Sequence, residues 1–158
     1  MEGESRRQEK NPPKSEKQST VEFLQPKDTI GNGKWEVVKL LGEGGFGQVY
    51  EVRDIQSDDR YAMKVEDAKA EFPILKMEIA VLRRLHGKKH AVRLIACGET
   101  TEFKFLIMSL LGKPLSTLRR ERRQRHFSHS TAVRIGNQCL EAIHDLHNIG
   151  FLHRDVKP

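Results

Sequence analysis

The sequence predicts an α+β fold: an antiparallel sheet of five strands with one helix against it, followed by a mainly helical stretch. Three observations predict it. Short runs rich in β-branched and apolar residues, separated by Gly- and Asp-rich turns, fill residues 35–66 and return at 92–108. Apolar residues at three- and four-residue steps mark one helix between Phe72 and His86. The same spacing marks a longer helix between Ser130 and Asn148.

The elements follow in order. Residues 1–30 are dominated by Lys, Glu, Gln, Ser and Pro, with only a few apolar side chains such as Val21, Phe23 and Leu24. Such a segment cannot offset its ordering entropy and is expected to be a disordered polar tail. Trp35–Gly42 and Gly47–Asp54 read as strands, joined as a hairpin through the glycines between them. The turn Gln56-Ser-Asp-Asp59 leads to a third strand, Arg60–Glu66. The helix of about four turns from Phe72 stops at Gly87. Val92–Cys97 and Glu102–Met108 complete the sheet. Beyond Gly112 a basic segment, Leu118–Arg125, precedes the long helix, whose apolar face is Val133, Ile135, Cys139, Ala142, Ile143 and Leu146. Gly150 ends it, and His153-Arg154-Asp155-Val156-Lys157-Pro158 follows.

Composition excludes several classes. The chain has 158 residues, 37% hydrophobic and 32% charged, with net charge +6. Its longest apolar run is far short of the roughly 20 residues of a membrane span, and no membrane partner is expected. No apolar leader follows Met1, so no secretory signal is expected. Cys97 and Cys139 lack metal-ligand spacing and are expected to be reduced core thiols of an intracellular protein, cytoplasmic or nuclear. A pI near 9.4 suits acidic partners.

Four features carry chemistry. In Gly42-Glu-Gly-Gly-Phe-Gly47, glycines let a hairpin backbone approach phosphate oxygens and aim N–H groups at them. By itself the pattern can also serve a tight hairpin, its glycines there for turn geometry alone. Alternation in Tyr61–Val65 places Ala62 and Lys64 on one strand face, which suits a flat ring over Ala62 and a phosphate near Lys64. A lone lysine there is otherwise a solvated one. Glu78 shares the inward side of the Leu75–Ile79–Leu82 stripe, where a carboxylate is costly unless paired, and Lys64 is the partner the chain order offers. Glu78 at the stripe's edge could instead reach water. Lastly, Asp155 can orient a hydroxyl and accept its proton, while Lys157 can neutralise a transferring phosphoryl group.

With all four in this order, residues 35–158 resemble a eukaryotic protein kinase. Lys64-Val-Glu66, Leu75-Lys-Met-Glu78, His90-Ala-Val-Arg93, Cys97-Gly98, Met108-Ser-Leu-Leu-Gly112, Leu118-Arg-Arg120 and Gly150-Phe-Leu-His-Arg-Asp155 are similar to the casein kinase 1 superfamily, tau-tubulin kinase-like members in particular. The resemblance implies a kinase N-lobe and hinge over 31–112 and the beginning of an incomplete C-lobe over 113–158. It implies ATP held by Leu41, Gly42, Gly44, Gly45, Gly47, Val49, Ala62 and Lys64, with Met108 as gatekeeper and Ser109 and Leu111 in the hinge. It makes Lys64, Glu78, Asp155 and Lys157 the catalytic set, Asp155 being the base, and makes Arg154 an organiser of the activation segment. It implies transfer of the ATP γ-phosphate to protein Ser or Thr hydroxyls in acidic or phosphorylated surroundings.

Mg2+ is implied too, yet the pattern D-x-x-x-x-N would place the metal-holding Asn at position 160, so no metal ligand is expected within this chain. Kinase activity of the 158 residues is accordingly expected to be trace at most. An alternative stays open: a truncated isoform acting as a nucleotide-binding or interaction module. Arg119–Arg125 holds five arginines in seven residues, but no aromatic interleaves them, and nucleic acid is not an expected partner.

Overall fold

A computed structural model describes residues 22–45 and 47–157. The chain order is β1 (Thr29–Ile30), β2 (Trp35–Gly44), β3 (Gly47–Asp54), β4 (Arg60–Asp67), α1 (Leu75–Arg84), β5 (Leu94–Glu99), β6 (Phe103–Ser109), α2 (Leu115–Glu121) and α3 (His129–Asn148). The strands form one antiparallel sheet in the order β1-β2-β3-β4-β6-β5. It contains the five expected strands and one more, β1, at the edge of β2.

Strand alternation splits the sheet into two faces. Trp35, Val37, Tyr50, Val52, Met63, Val65, Phe105 and Ile107 are buried together on one of them. Ala62, Lys64 and Glu66 alternate with these on β4, and on their face Leu106 and Leu75 of α1 are buried. The helix packs on β5 and β6, so the sheet carries its main core on one side and a single helix on the other.

The expected polar tail over 1–30 is corrected at its C-terminal end. Residues 1–21 lie outside the described residues, but 23–30 form a strap across the sheet's core face. Leu24 and Ile30 join the buried cluster, and Phe23 meets the Phe103 ring edge-on, at 6.1 Å between centroids. Its backbone finds partners as well. The Phe23 N–H donates to Gln48 Oε1 at 3.0 Å, and the Leu24 N–H donates to the Tyr50 hydroxyl at 3.3 Å. Three apolar side chains spaced over eight residues suffice because the sheet offers both an apolar face and side-chain acceptors for the strap's N–H groups.

Element ends differ for local reasons. The first helix begins at Leu75 rather than Phe72, because Pro73 holds the preceding residue out of the helical region, and Phe72 is left exposed. It ends at Arg84, and Gly87 turns the chain at φ +78°. Helix α3 starts on a Ser128 cap, whose Oγ accepts from the Thr131 N–H at 3.3 Å. It ends with Gly150 at φ +81° and the Phe151 N–H reaching back to the Leu146 carbonyl. No helix among the described residues is long and apolar enough to cross a membrane.

Two expectations about side chains fail. Cys97 and Cys139 are free thiols, as their spacing implies, but both are exposed rather than in the core. Cys97 lies on the edge strand β5, where Arg83 Nη2 approaches its Sγ at 3.4 Å. Cys139 lies on α3, of which no residue is buried. Only part of the α3 stripe finds cover: Ile135, Ala142, Ile143 and Leu146 are half-buried, while Val133 is exposed.

The β5–β6 contact has no slack at Gly98. A Cβ there would stand 2.7 Å from Cζ of Phe105, whose ring is itself buried in the core. Gly98→Ala is therefore expected to destabilise the chain by about 1–3 kcal/mol through overpacking, read from its chemical denaturation midpoint. Combining it with Phe105→Leu should recover part of that loss; a wild-type midpoint for Gly98→Ala would contradict the packing.

Candidate functional site

The β2–β3 hairpin closes with Gly44 opposite Gly47 and Gly42 opposite Val49. Its glycines are not equivalent. Gly47 has φ +110°, and a Cβ on it would lie 2.0 Å from the Val65 carbonyl oxygen, so the fold itself requires glycine. At Gly42, Gly44 and Gly45 a Cβ would meet nothing within 4 Å. No packing among the described residues calls for those three, and their bare backbone leaves the hairpin tip open to an approaching group. Leu41, beside them, is exposed.

Register places the next candidates together. Val49 lies opposite Lys64, and Lys64 opposite Leu106. Ala62 lies opposite Met108, and Tyr61 opposite Ser109. Val49, Ala62, Lys64 and Met108 therefore share a sheet region, with the glycine hairpin at one end and the β6 exit at the other. The Ser109 N–H is used by the Arg93 carbonyl at 3.0 Å, and Leu111, past the strand, is exposed.

Lys64 and Glu78 face each other across the sheet–helix gap. Lys64 Nζ donates to Glu78 Oε1 at 2.5 Å, with the side chains 17% and 33% exposed. Strand alternation brings the amine to the α1 face, and Glu78 sits one turn into α1, so the inward stripe does carry a paired acid.

One neighbour was not among the sequence candidates. Glu66, two residues along the same strand face, is 4% exposed. Its Oε1 accepts from the N–H groups of Ile74 at 2.7 Å and Leu75 at 3.0 Å, the first turn of α1. The signal for it was indirect: Glu71-Phe-Pro-Ile74 offers the helix no Ser, Thr, Asp or Asn cap, so its first donors had to find an acceptor elsewhere.

The C-terminal motif is exposed and locally held. The Asp155 N–H donates to His153 Nδ1 at 3.3 Å, and Arg154 takes a left-handed φ of +59°. Lys157 Nζ donates to Asp155 Oδ2 at 2.8 Å. That hydrogen bond, then the ammonium charge, holds the Asp155 carboxyl below the usual carboxylate range. It therefore stays ionised to lower pH than a free aspartate.

A cavity of about 510 Å³ brings Glu78 and Met108 together with His153 and Arg154, between α1 and α3. Lys88 Nζ to Asp145 Oδ1, at 3.0 Å, and His90 Nε2 to Glu141 Oε2, at 2.8 Å, tie the loop after α1 to α3. Asp155 and Lys157 do not line this cavity, and no ion pair joins them to Lys64 or Glu78 among the described residues. Neither do the described residues hold a group of three or more His, Cys, Asp or Glu side chains able to grip a metal ion. The donor set for Mg2+ is not met by these residues. In the arginine run, Lys113 takes Glu121 at 2.6 Å, and Arg122 lies over Phe127 at 5.3 Å.

The sequence that forms the glycine hairpin, the lysine–helix pair and the H-R-D segment beyond α3 is matched by known proteins. The family model for the protein kinase domain matches residues 35–158. A probable serine/threonine-protein kinase of Dictyostelium discoideum is 36% identical over 126 residues, 80% of this chain and 26% of that protein. A serine/threonine-protein kinase of Caenorhabditis elegans is 40% identical over 125 residues, 78% of this chain and 33% of that protein. A putative casein kinase I of the same organism is 37% identical over 133 residues, 82% of this chain and 39% of that protein. The chain thus spans about a quarter to two fifths of the length of these relatives. Kinase domains as a family use ATP and Mg2+. Sheet, hairpin, helix pairing and family match agree, and the chain belongs to the protein kinase family.

Proposed function

We propose that this chain binds ATP between its glycine hairpin and the Lys64–Glu78 pair. In this reading it supplies the N-lobe of a casein kinase 1-like serine/threonine protein kinase. The observation that carries the reading is the 2.5 Å Lys64–Glu78 contact, on the same face as Val49 and Ala62. A lysine whose charge is steadied by a half-buried carboxylate is fixed in direction, and a fixed amine can take the α- and β-phosphate oxygens. The open tip at Gly42, Gly44 and Gly45 gives those phosphates backbone N–H donors. Val49 and Ala62 cover the adenine, and Met108, Ser109 and Leu111 border its edge.

In the whole enzyme the substrate hydroxyl oxygen attacks the γ-phosphorus, the bond to the β,γ-bridging oxygen breaks, and ADP departs. Asp155, kept ionised by Lys157, accepts the hydroxyl proton, and Lys157 can shift toward the γ-phosphate. The basic surface favours protein substrates with acidic or phosphorylated surroundings, inside the cell, in cytoplasm or nucleus.

A second reading has its own observation. Val133 and Leu140 of α3 are exposed apolar side chains, which favours a nucleotide-binding or interaction module as the alternative.

Two measurements test the proposal. Lys64→Met should weaken ATP binding about tenfold or more and leave adenosine within about twofold, since one contact to a charged group is worth about 1.5–3 kcal/mol. Equal losses for both ligands would overturn the phosphate role of Lys64. The purified 158-residue chain, given labelled ATP, Mg2+ and casein, should transfer only trace phosphate. Robust transfer abolished by Lys64→Met would show that the metal is held without the residues expected to hold it.

A further inference from the structure

Helix α1 is attached to the sheet at two points of one strand. Lys64 and Glu66 are two residues apart on β4, so their side chains emerge on the same face about 7 Å apart. Lys64 takes Glu78, while Glu66 takes the first donors of the helix, the N–H groups of Ile74 and Leu75. Helix α1 has no side-chain cap of its own. Glu66 is the cap, supplied by another element, and its negative charge lies at the positive end of the helix dipole.

Packing fixes the helix's orientation only in part: it rests on β5 and β6, and Arg83 approaches Cys97 of β5. Leu75 is its only buried residue, and the cavity of about 510 Å³ runs along its Met77, Glu78, Val81, Leu82 and Leu85 flank. A helix held so loosely could turn about the Lys64–Glu78 contact or slide along it. A second fixed point, one turn before Glu78, removes both freedoms. Glu66 is suited to this: it is 4% exposed, and its Oε2 has no hydrogen-bond partner among the described residues. Its burial is not repaid by a full set of partners at its own site, which is expected of a group retained for where it puts something else.

We infer that Glu66 is the positioning residue for the phosphate-binding amine: by fixing the first turn of α1, it sets where Glu78 holds Lys64. The inference rests on the ATP reading of Lys64 given above.

The test compares ATP with adenosine, because a misplaced Lys64 loses the phosphates and leaves the ring site alone. Binding of both ligands is measured on the 158-residue chain, with the buried Trp35 reporting that the sheet is folded. Glu66→Asp, one methylene too short to reach both donors, should cut the preference for ATP about tenfold, the loss of one charged contact. Glu66→Gln keeps an acceptor at the Oε1 position and should stay within about twofold of wild type. In a Glu78→Gln background, Glu66→Asp should add nothing further, since both act through the same amine. A merely structural cap would lower the denaturation midpoint and leave the ATP-to-adenosine ratio unchanged. That result, or additive losses in the double variant, overturns the inference, as does failure of both Glu66→Asp and Glu66→Ser to fold. If wild type does not prefer ATP, the ATP reading fails and takes this inference with it. If Lys64→Met removes the preference and Glu66→Asp keeps it, only this inference fails.

Discussion

The ion pair between Lys64 and Glu78 is the constraint around which the molecule is arranged. Each partner is costly to remove from water alone, and each is more than half covered where it stands. The pair exists only if a strand presents its amine to a helix face and the helix turns its acid inward at matching height. The β3–β4–β6 register, the start of α1 after Pro73 and the Glu66 cap all serve that match. The hairpin belongs to the same arrangement, because Gly47 presses against the Val65 carbonyl, one residue from Lys64.

The two sides of the sheet are built by different physics. One is a dense apolar cluster in which Tyr50, Val52, Met63 and Ile107 are almost fully enclosed. The other depends on charge: Lys64, Glu66 and Glu78 hold a helix with one buried residue beside a large cavity. The first resists change, and the second can be retuned by single side chains. Placing the Lys64 amine on the electrostatic side gives it a precise position without locking the helix into the core.

Much of this was legible from residues alone. The strands Trp35–Gly42, which runs on to Gly44, and Gly47–Asp54 announce themselves through alternation and a glycine turn, and the Lys64–Glu78 spacing follows from two periodicities, two and three to four. What escaped depends on contacts distant in sequence. Phe23, Leu24 and Ile30 look like strays in a polar tail until a sheet face is there to receive them. Glu66 looks like one more charged residue until the uncapped Ile74 amide is set beside it. The cysteines were misread because apolar periodicity shows which face a residue occupies but not whether another element covers that face. Nothing in the order of residues states that Asp155 and Lys157 pair with each other and stay apart from Lys64; that is a matter of how the loop after α3 lies.

The strap has a consequence for how copies of this chain can meet. A long unpaired strand at a sheet margin is a template on which another chain can add itself. Here one margin ends in the two-residue β1, and the other in β5, whose pairing slips between Leu94 and Ala96. Neither offers a straight run of free donors and acceptors. Self-association by strand exchange is thereby discouraged at both ends.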